Sequence, residues 1–238
     1  MRRDITEIVA VAGRGHIGAA FSLVEILLVL YKEILRIDPK NPAWEDRDRC
    51  ILSKGHGCLA LYPILADLGF FPRAELKLFC TPKGILGGHP ERHKVPGVEA
   101  STGALGHGLS FGIGMALAAK IDKRSYRVFV IVGDGECDEG SIWEGALAAS
   151  KHRLDNLTVL VDYNKQQSYG TVEEVLPLEP FADKWRAFGF ELREADMDHP
   201  ERLREALLAE RPRGRPLAVL CHTVKGKGVS FVERNLNW

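Results

Sequence analysis

Three short stretches of the chain are almost continuously apolar and rich in β-branched residues: Val128 to Val132 after Arg127 (V-F-V-I-V), Leu157 to Val161 (L-T-V-L-V) and Leu217 to Leu220 after Pro216 (L-A-V-L). A strand with one wet face alternates apolar and polar residues, so strands apolar at nearly every position belong to a sheet covered on both faces. Ser141 to His152 has helical spacing and lies between the first two runs. Strand, helix, strand at this interval is a βαβ unit, whose strands are parallel. The fold class that follows is α/β: three layers, a mainly parallel sheet with helices on both faces.

Other segments fit this frame. Arg49 to Leu52 reads as a further short strand. Ser22-Leu23-Val24-Glu25 has the form of a capping box and predicts a helix running to about Leu35. Helices are also expected over Gly57 to Leu68, Gly106 to Lys120, Phe181 to Phe188 and Pro200 to Glu210, whereas Lys83 to Gly103, rich in Gly, Pro and His, reads as a long functional loop. Trp143 and Trp185 read as core or interface residues. With no repeat, low-complexity tract or Ser/Gly linker, residues 1–238 are expected to form a single domain.

Composition narrows the functional classes. Lys+Arg and Asp+Glu both number 32, and this balance argues against a general nucleic-acid binder, which carries a basic excess. The five cysteines form no C-x-x-C pair, which suits buried thiols in a cytoplasmic protein. Asp4 and Glu7 interrupt any signal-peptide reading of the N-terminus, and no run of apolar residues is long enough to span a bilayer. Glycine is the unusual count, at 24 residues or about a tenth of the chain, against a norm of roughly 7%. Gly112 and Gly114, inside a predicted helix, suggest close packing there, since each costs about 1 kcal/mol of helix propensity.

The most informative residues follow the predicted strands. Gly133-Asp134-Gly135 comes directly after Val132, and Asp162-Tyr163-Asn164 directly after Val161. A βαβ unit brings both to one sheet edge, where ligands of such folds bind. The Asp134 carboxylate and the Asn164 amide oxygen are hard donors suited to Mg²⁺ or Ca²⁺. The flanking glycines allow close backbone approach to an anion, and the following helix offers free N–H groups to it. The chemistry indicated is a metal-bridged diphosphate. Four of the eight histidines, His16, His56, His89 and His107, directly follow a glycine. A histidine in such a loop suits a pocket rim and can move protons near neutral pH. Arg47, Arg49 and Lys54 read as a solvated basic face. Lys225-Gly226-Lys227-Gly228 fits a phosphate-facing loop or a surface loop equally well.

G-D-G followed by D-x-N resembles the thiamine diphosphate motif, and the wider chain resembles the N-terminal, diphosphate-binding half of transketolases. Matching stretches include Gly15-His16-Ile17-Gly18, Ser53-Lys54-Gly55-His56, Gly87-Gly88-His89-Pro90, Ser101-Thr102-Gly103-Ala104-Leu105-Gly106, Gly133-Asp134-Gly135-Glu136 and Thr223-Val224-Lys225-Gly226. The resemblance implies that Asp134, Asn164 and the backbone carbonyl of Gln166 ligate Mg²⁺ or Ca²⁺. It implies that His56, Gly103, Leu105, Gly133, Gly135, Glu136 and Asn164 bind thiamine diphosphate, and that the catalytic His16 and His89 handle protons of a sugar substrate. Glu139 and Glu144 would lie between cofactor sites. The implied reaction moves a two-carbon ketol unit from a ketose to an aldose.

Only seven residues follow Phe231, so the expected source of the pyrimidine-binding domain is a partner subunit, in an α2β2 heterotetramer. The helices over Gly106 to Lys120 and Ser141 to Ser150 are the expected contacts. Departures from the family pattern accompany the match: Ile17 stands where Pro is usual, His107 where Gln is common, and residues 166 and 168 are polar. A His that commonly touches the diphosphate would fall beyond Trp238. These changes point away from the ordinary pentose phosphate, to a specialised relative acting on another ketose or a ketoacid. The alternatives are the cofactor subunit of a 2-oxoacid dehydrogenase or decarboxylase, and a non-catalytic scaffold subunit.

Overall fold

The computed structural model describes residues 1–236. Five parallel strands, β1 (Arg49–Leu52), β2 (Val128–Gly133), β3 (Leu157–Tyr163), β4 (Glu191–Asp196) and β5 (Leu217–His222), form one sheet in the order β1-β2-β3-β5-β4. In register, Val128 pairs with Leu157 and Thr158 with Leu217. Every residue of β2 and β3 is buried, as continuous apolar strands require.

Alternate side chains of these strands enter two separate cores. Phe129, Ile131, Leu160 and Val219 point to one face, where they meet α1 (Arg2–Ala12), α3 (Val24–Val29), α4 (Cys58–Leu68) and α9 (Pro200–Leu208). Val130, Val132, Val159 and Val161 point to the other, against α5 (Gly108–Ile121), α6 (Gly140–Lys151) and α8 (Phe181–Ala187). The three-layer expectation holds. Trp185 is fully buried in this second core, 5.2 Å from the half-buried Trp143. All five cysteines are free thiols, four of them buried. Among the described residues, no helix is long and apolar enough to cross a membrane.

Two expectations need correction. Ser22 does not cap α3; Leu23 occupies the N-cap without a side-chain bond, and the Ser22 hydroxyl donates to Asp162 instead, at 2.6 Å. The helix itself runs on as predicted, through a π-helical turn over Leu30–Ile34. The capping box lies elsewhere, at Thr171 and Glu174, opening the short α7 (Val172–Val175). Gly112 and Gly114 differ from each other. A Cβ on Gly112 would lie 2.3 Å from Val130 Cγ2, so α5 rests on β2 through that glycine. A Cβ on Gly114 would meet nothing within 4 Å.

The loop from Lys83 to Gly103 contains no helix or strand. It is tethered to α4, where the Tyr62 hydroxyl lies 2.9 Å from the carbonyl oxygens of both Gly87 and His89, and the Cys58 thiol donates to Gly88 O at 3.1 Å.

Candidate active site

The carboxyl ends of β1, β2, β3 and β5 converge under a cavity of about 460 Å³. Asp162, at the end of β3, is fully buried beneath it. Its carboxylate accepts hydrogen bonds from Ser22 Oγ, Thr223 Oγ1 and Asn164 Nδ2 and pairs with Lys54 Nζ. One charged group therefore ties the residues after β1, β3 and β5 to the end of α2 (Ile17–Phe21). Lys54 is buried here, 2% exposed, which corrects its assignment to a solvated face. Arg47 and Arg49 sit apart and pair with Glu99. The pairing of Lys54 spans 108 residues, so nothing local in the sequence signals it.

Asp134 follows β2 and is 3% exposed. Its Oδ1 accepts the Gly135 N–H at 2.8 Å and its Oδ2 the Lys165 N–H at 2.5 Å. The Gly135 N–H is thus held by Asp134 and is not free in the cavity. Burial, reinforced by the neighbouring Asp162, pushes the Asp134 carboxyl up to about 7. A buried carboxylate so poorly compensated fits a cation that restores its charged form. Asn164 Oδ1 accepts from the Gln166 N–H at 3.0 Å, and Gln166 Oε1 is buried without a partner. Among the described residues, no group of three or more His, Cys, Asp or Glu side chains forms a metal cluster. A cation here would rest on one carboxylate with amide and carbonyl oxygens, the donor set of a hard divalent ion. The side chains of Asp134 and Asn164 and the backbone of Gln166 fit that requirement.

Positive charge faces the same cavity. Lys54 and the half-buried Lys225 line it, and Lys225 Nζ donates to Gln167 O at 3.0 Å. Burial, with Lys54 nearby, draws the Lys225 ammonium below its ordinary range. Lys227 turns away, to Met197 O and Asp198. Only the first lysine of the K-G-K-G segment thus faces the cavity.

Glu136 also borders the cavity but is engaged inward. Its carboxylate accepts from Ser53 Oγ, from the Gly106 N–H at 2.9 Å and from the Gly133 N–H at 3.1 Å. It fastens the loop ending at Gly106 to the loop after β2, and Leu105 reaches the cavity from that fastened loop. Gly106 has φ +81°, and a Cβ there would meet Ser141 Oγ at 2.3 Å.

The His16 and His56 rings meet edge to face at 5.5 Å. Burial, then Lys54 and His16, pull His56 down to about 3, which keeps its imidazole neutral. Burial also lowers His16, with His89 adding to the effect. A second cavity, of about 330 Å³, shares both rings with the first and adds His89, Arg14 and Cys80. Gly103, with φ +155°, would place a Cβ 3.2 Å from the His89 ring, so the glycine lets that ring lie against the backbone. The structure thus gathers His16, His56 and His89. It leaves His107 exposed at the start of α5, its Nδ1 3.0 Å from Leu105 O, lining neither cavity. Glu139 and Glu144 are exposed near the start of α6. The position expected for a further His, beyond Trp238, lies outside the described residues.

Known proteins resemble this arrangement along its whole length. The family model for the transketolase thiamine diphosphate binding domain matches residues 1–236. A 6-deoxy-6-sulfo-D-fructose transketolase subunit from Clostridium sp. (strain MSTE9) is 43% identical over 237 residues, covering 99% of this chain and 86% of that protein. An apulose-4-phosphate transketolase subunit from Phocaeicola vulgatus is 44% identical, covering 100% of this chain and 84% of that one. Among solved structures, transketolase from Leishmania mexicana superposes with a TM-score of 0.90 at 32% identity, covering 96% of this chain but 36% of its own.

Proposed function

The chain belongs to the transketolase family through its thiamine diphosphate binding domain, and on that premise we propose that it is the cofactor-binding subunit of a split transketolase, moving a two-carbon ketol unit from a ketose to an aldose. One observation carries the reading: Asp134 and Asn164, from adjacent parallel strands, meet at one cavity that Lys54 and Lys225 also line. That is a cation site beside an anion site, as a metal-bound diphosphate requires.

In this reading Asp134, Asn164 and the Gln166 carbonyl hold Mg²⁺ or Ca²⁺. Gly133, Gly135, Gly103, Leu105, Asn164 and His56 surround the cofactor, and Glu136 fixes the residues after β1 and β2 and the loop ending at Gly106. When bound, thiamine diphosphate supplies the electron sink for breaking and forming the carbon–carbon bond. The protein's own task is positioning and proton movement. His16, with its pKa lowered, is neutral at pH 7 and can take a proton from a sugar hydroxyl. His89, seated against Gly103, faces the sugar's hydroxyls from the opposite loop. His56, neutral throughout, contributes a hydrogen bond without adding charge.

The two relatives described above are themselves named as subunits, and this chain spans about 36% of the solved transketolase it matches. Both facts support a partner that carries the pyrimidine-binding domain, in an α2β2 assembly, with residues 1–238 acting as one domain. Both relatives are also named for sugars with an anionic substituent, a sulfonate and a phosphate. This supports a ketose of that class as the substrate here. The five free thiols suit the cytoplasm.

The test is calorimetric titration of the two-subunit complex with thiamine diphosphate, with and without Mg²⁺, followed by an assay of ketol transfer. Metal-dependent binding and transfer are expected. Absence of binding to the complex would sink the reading, and CO₂ release from a 2-oxoacid would reassign the reaction.

A further inference from the structure

Arg14 lies in a turn between two glycines of positive φ. Gly13 ends α1 in the left-handed conformation, φ +65°, with its N–H on Val9 O. Gly15 follows with φ +140°, and a Cβ there would lie 2.6 Å from Leu59 Cδ1, so its backbone is pressed onto α4. The side chain between these glycines borders the 330 Å³ cavity beside His16, His56 and His89. Among the described residues its guanidinium has no hydrogen bond and no ion pair, and no carboxylate lines this cavity. The chain as a whole carries no net charge, so attraction of an anion to this opening must come from local groups.

We propose that Arg14 is a specificity-determining residue that binds the anionic substituent of the sugar, a phosphate ester or sulfonate, at the outer end of the cavity lined by His16, His56 and His89. The proposal rests on the ketol-transfer reading and adds to it a residue of this chain that reads the far end of the substrate. A guanidinium presents paired N–H donors to the tetrahedral oxygens of either group, and such charge-assisted bonds are the strong ones. The sugar's reacting carbons lie toward the two histidines shared with the cofactor cavity. Its charged end lies toward the solvent-exposed Arg14.

The test uses the two-subunit complex and two variants, Arg14→Gln and Arg14→Lys. Each is titrated calorimetrically with a panel of four- to six-carbon sugar phosphates, their sulfonate analogues, and the uncharged parent sugars. The wild-type complex is expected to favour at least one charged sugar over its parent by roughly tenfold or more, the scale of a charge-assisted hydrogen bond. Arg14→Gln should abolish that preference, and Arg14→Lys should restore part of it. Comparison of the phosphate and sulfonate arms identifies which group is bound. A preference that survives Arg14→Gln, or no preference in the wild type, overturns the proposal. If an Arg14-dependent preference appears but no ketol unit is transferred, the proposed function fails while Arg14 keeps its role. If transfer proceeds with unchanged selectivity in Arg14→Gln, the reverse holds.

Discussion

Lys54 and Asp162 form an ion pair with side chains 3% and 0% exposed, directly beneath the 460 Å³ cavity. Removing one member of such a pair leaves a buried charge without compensation, at a cost of about 3–5 kcal/mol. Lys54→Met and Asp162→Asn should each lower stability on that scale, read as a shift of the urea midpoint. The double variant Lys54→Met/Asp162→Asn should lose less than the sum of the two singles. Strict additivity would mean that the two residues are not coupled.

His56 gives stability a dependence on pH. Its folded pKa is pulled from 6.5 to about 3, so between those values the unfolded chain binds a proton that the folded chain does not. Stability from this group is fully present above about pH 6.5 and is lost as pH falls below it, at up to about 1.4 kcal/mol per pH unit. The difference in stability between wild type and His56→Gln should therefore shrink or reverse as pH is lowered from 7 to 5. A difference independent of pH would show that His56 titrates normally.

Gly112 and Gly114, two residues apart on α5, should respond oppositely to alanine. At Gly112 the new methyl would collide with Val130, and overpacking of this kind costs about 1–3 kcal/mol. At Gly114 the methyl enters open space, and Gly→Ala in a helix stabilises by roughly 0.5–1 kcal/mol. Thermal unfolding of the isolated chain checks both. A stabilised Gly114→Ala chain that no longer assembles would place that open face within an interface.

Asp134→Asn should separate cofactor binding from folding. The buried carboxylate is poorly compensated, so at pH 8 relief of its charge should offset the one backbone hydrogen bond that an amide nitrogen cannot accept, and the melting temperature of the metal-free chain should change little. It should remove the rise in melting temperature expected of the wild type on adding Mg²⁺ and thiamine diphosphate. A retained, metal-dependent rise would place the cation elsewhere.

Much of this architecture was legible because it is local. β2, β3 and β5 announce themselves as unbroken apolar runs, and the βαβ spacing places Asp134 and Asn164 at one edge. β4 gave no such signal. Its residues Glu191 to Asp196 are largely polar, and as the sheet's edge strand only Ala195 is buried. Ser22 and Lys54 were misread because their partner is Asp162, 140 and 108 residues away. Until the fold is built, Ser22-x-x-Glu25 looks like a cap and Lys54 like one of three surface cations. Thr171-x-x-Glu174 was the true capping box, and its sequence pattern was available. α1 and α2 were not predicted, although Gly13 marks the end of α1 as a left-handed C-cap commonly does.

Glu136 joins Ser53, Gly106 and Gly133 through one carboxylate, while the turn bearing Arg14 lies outside that clasp. Under the proposed function the loops joined by Glu136 are held as one body, and Arg14, which makes none of those bonds, can be exchanged without breaking them. On the two proposals together, a change of sugar would need a substitution only at Arg14, between Gly13 and Gly15, with the histidines and the Glu136 clasp left as they are.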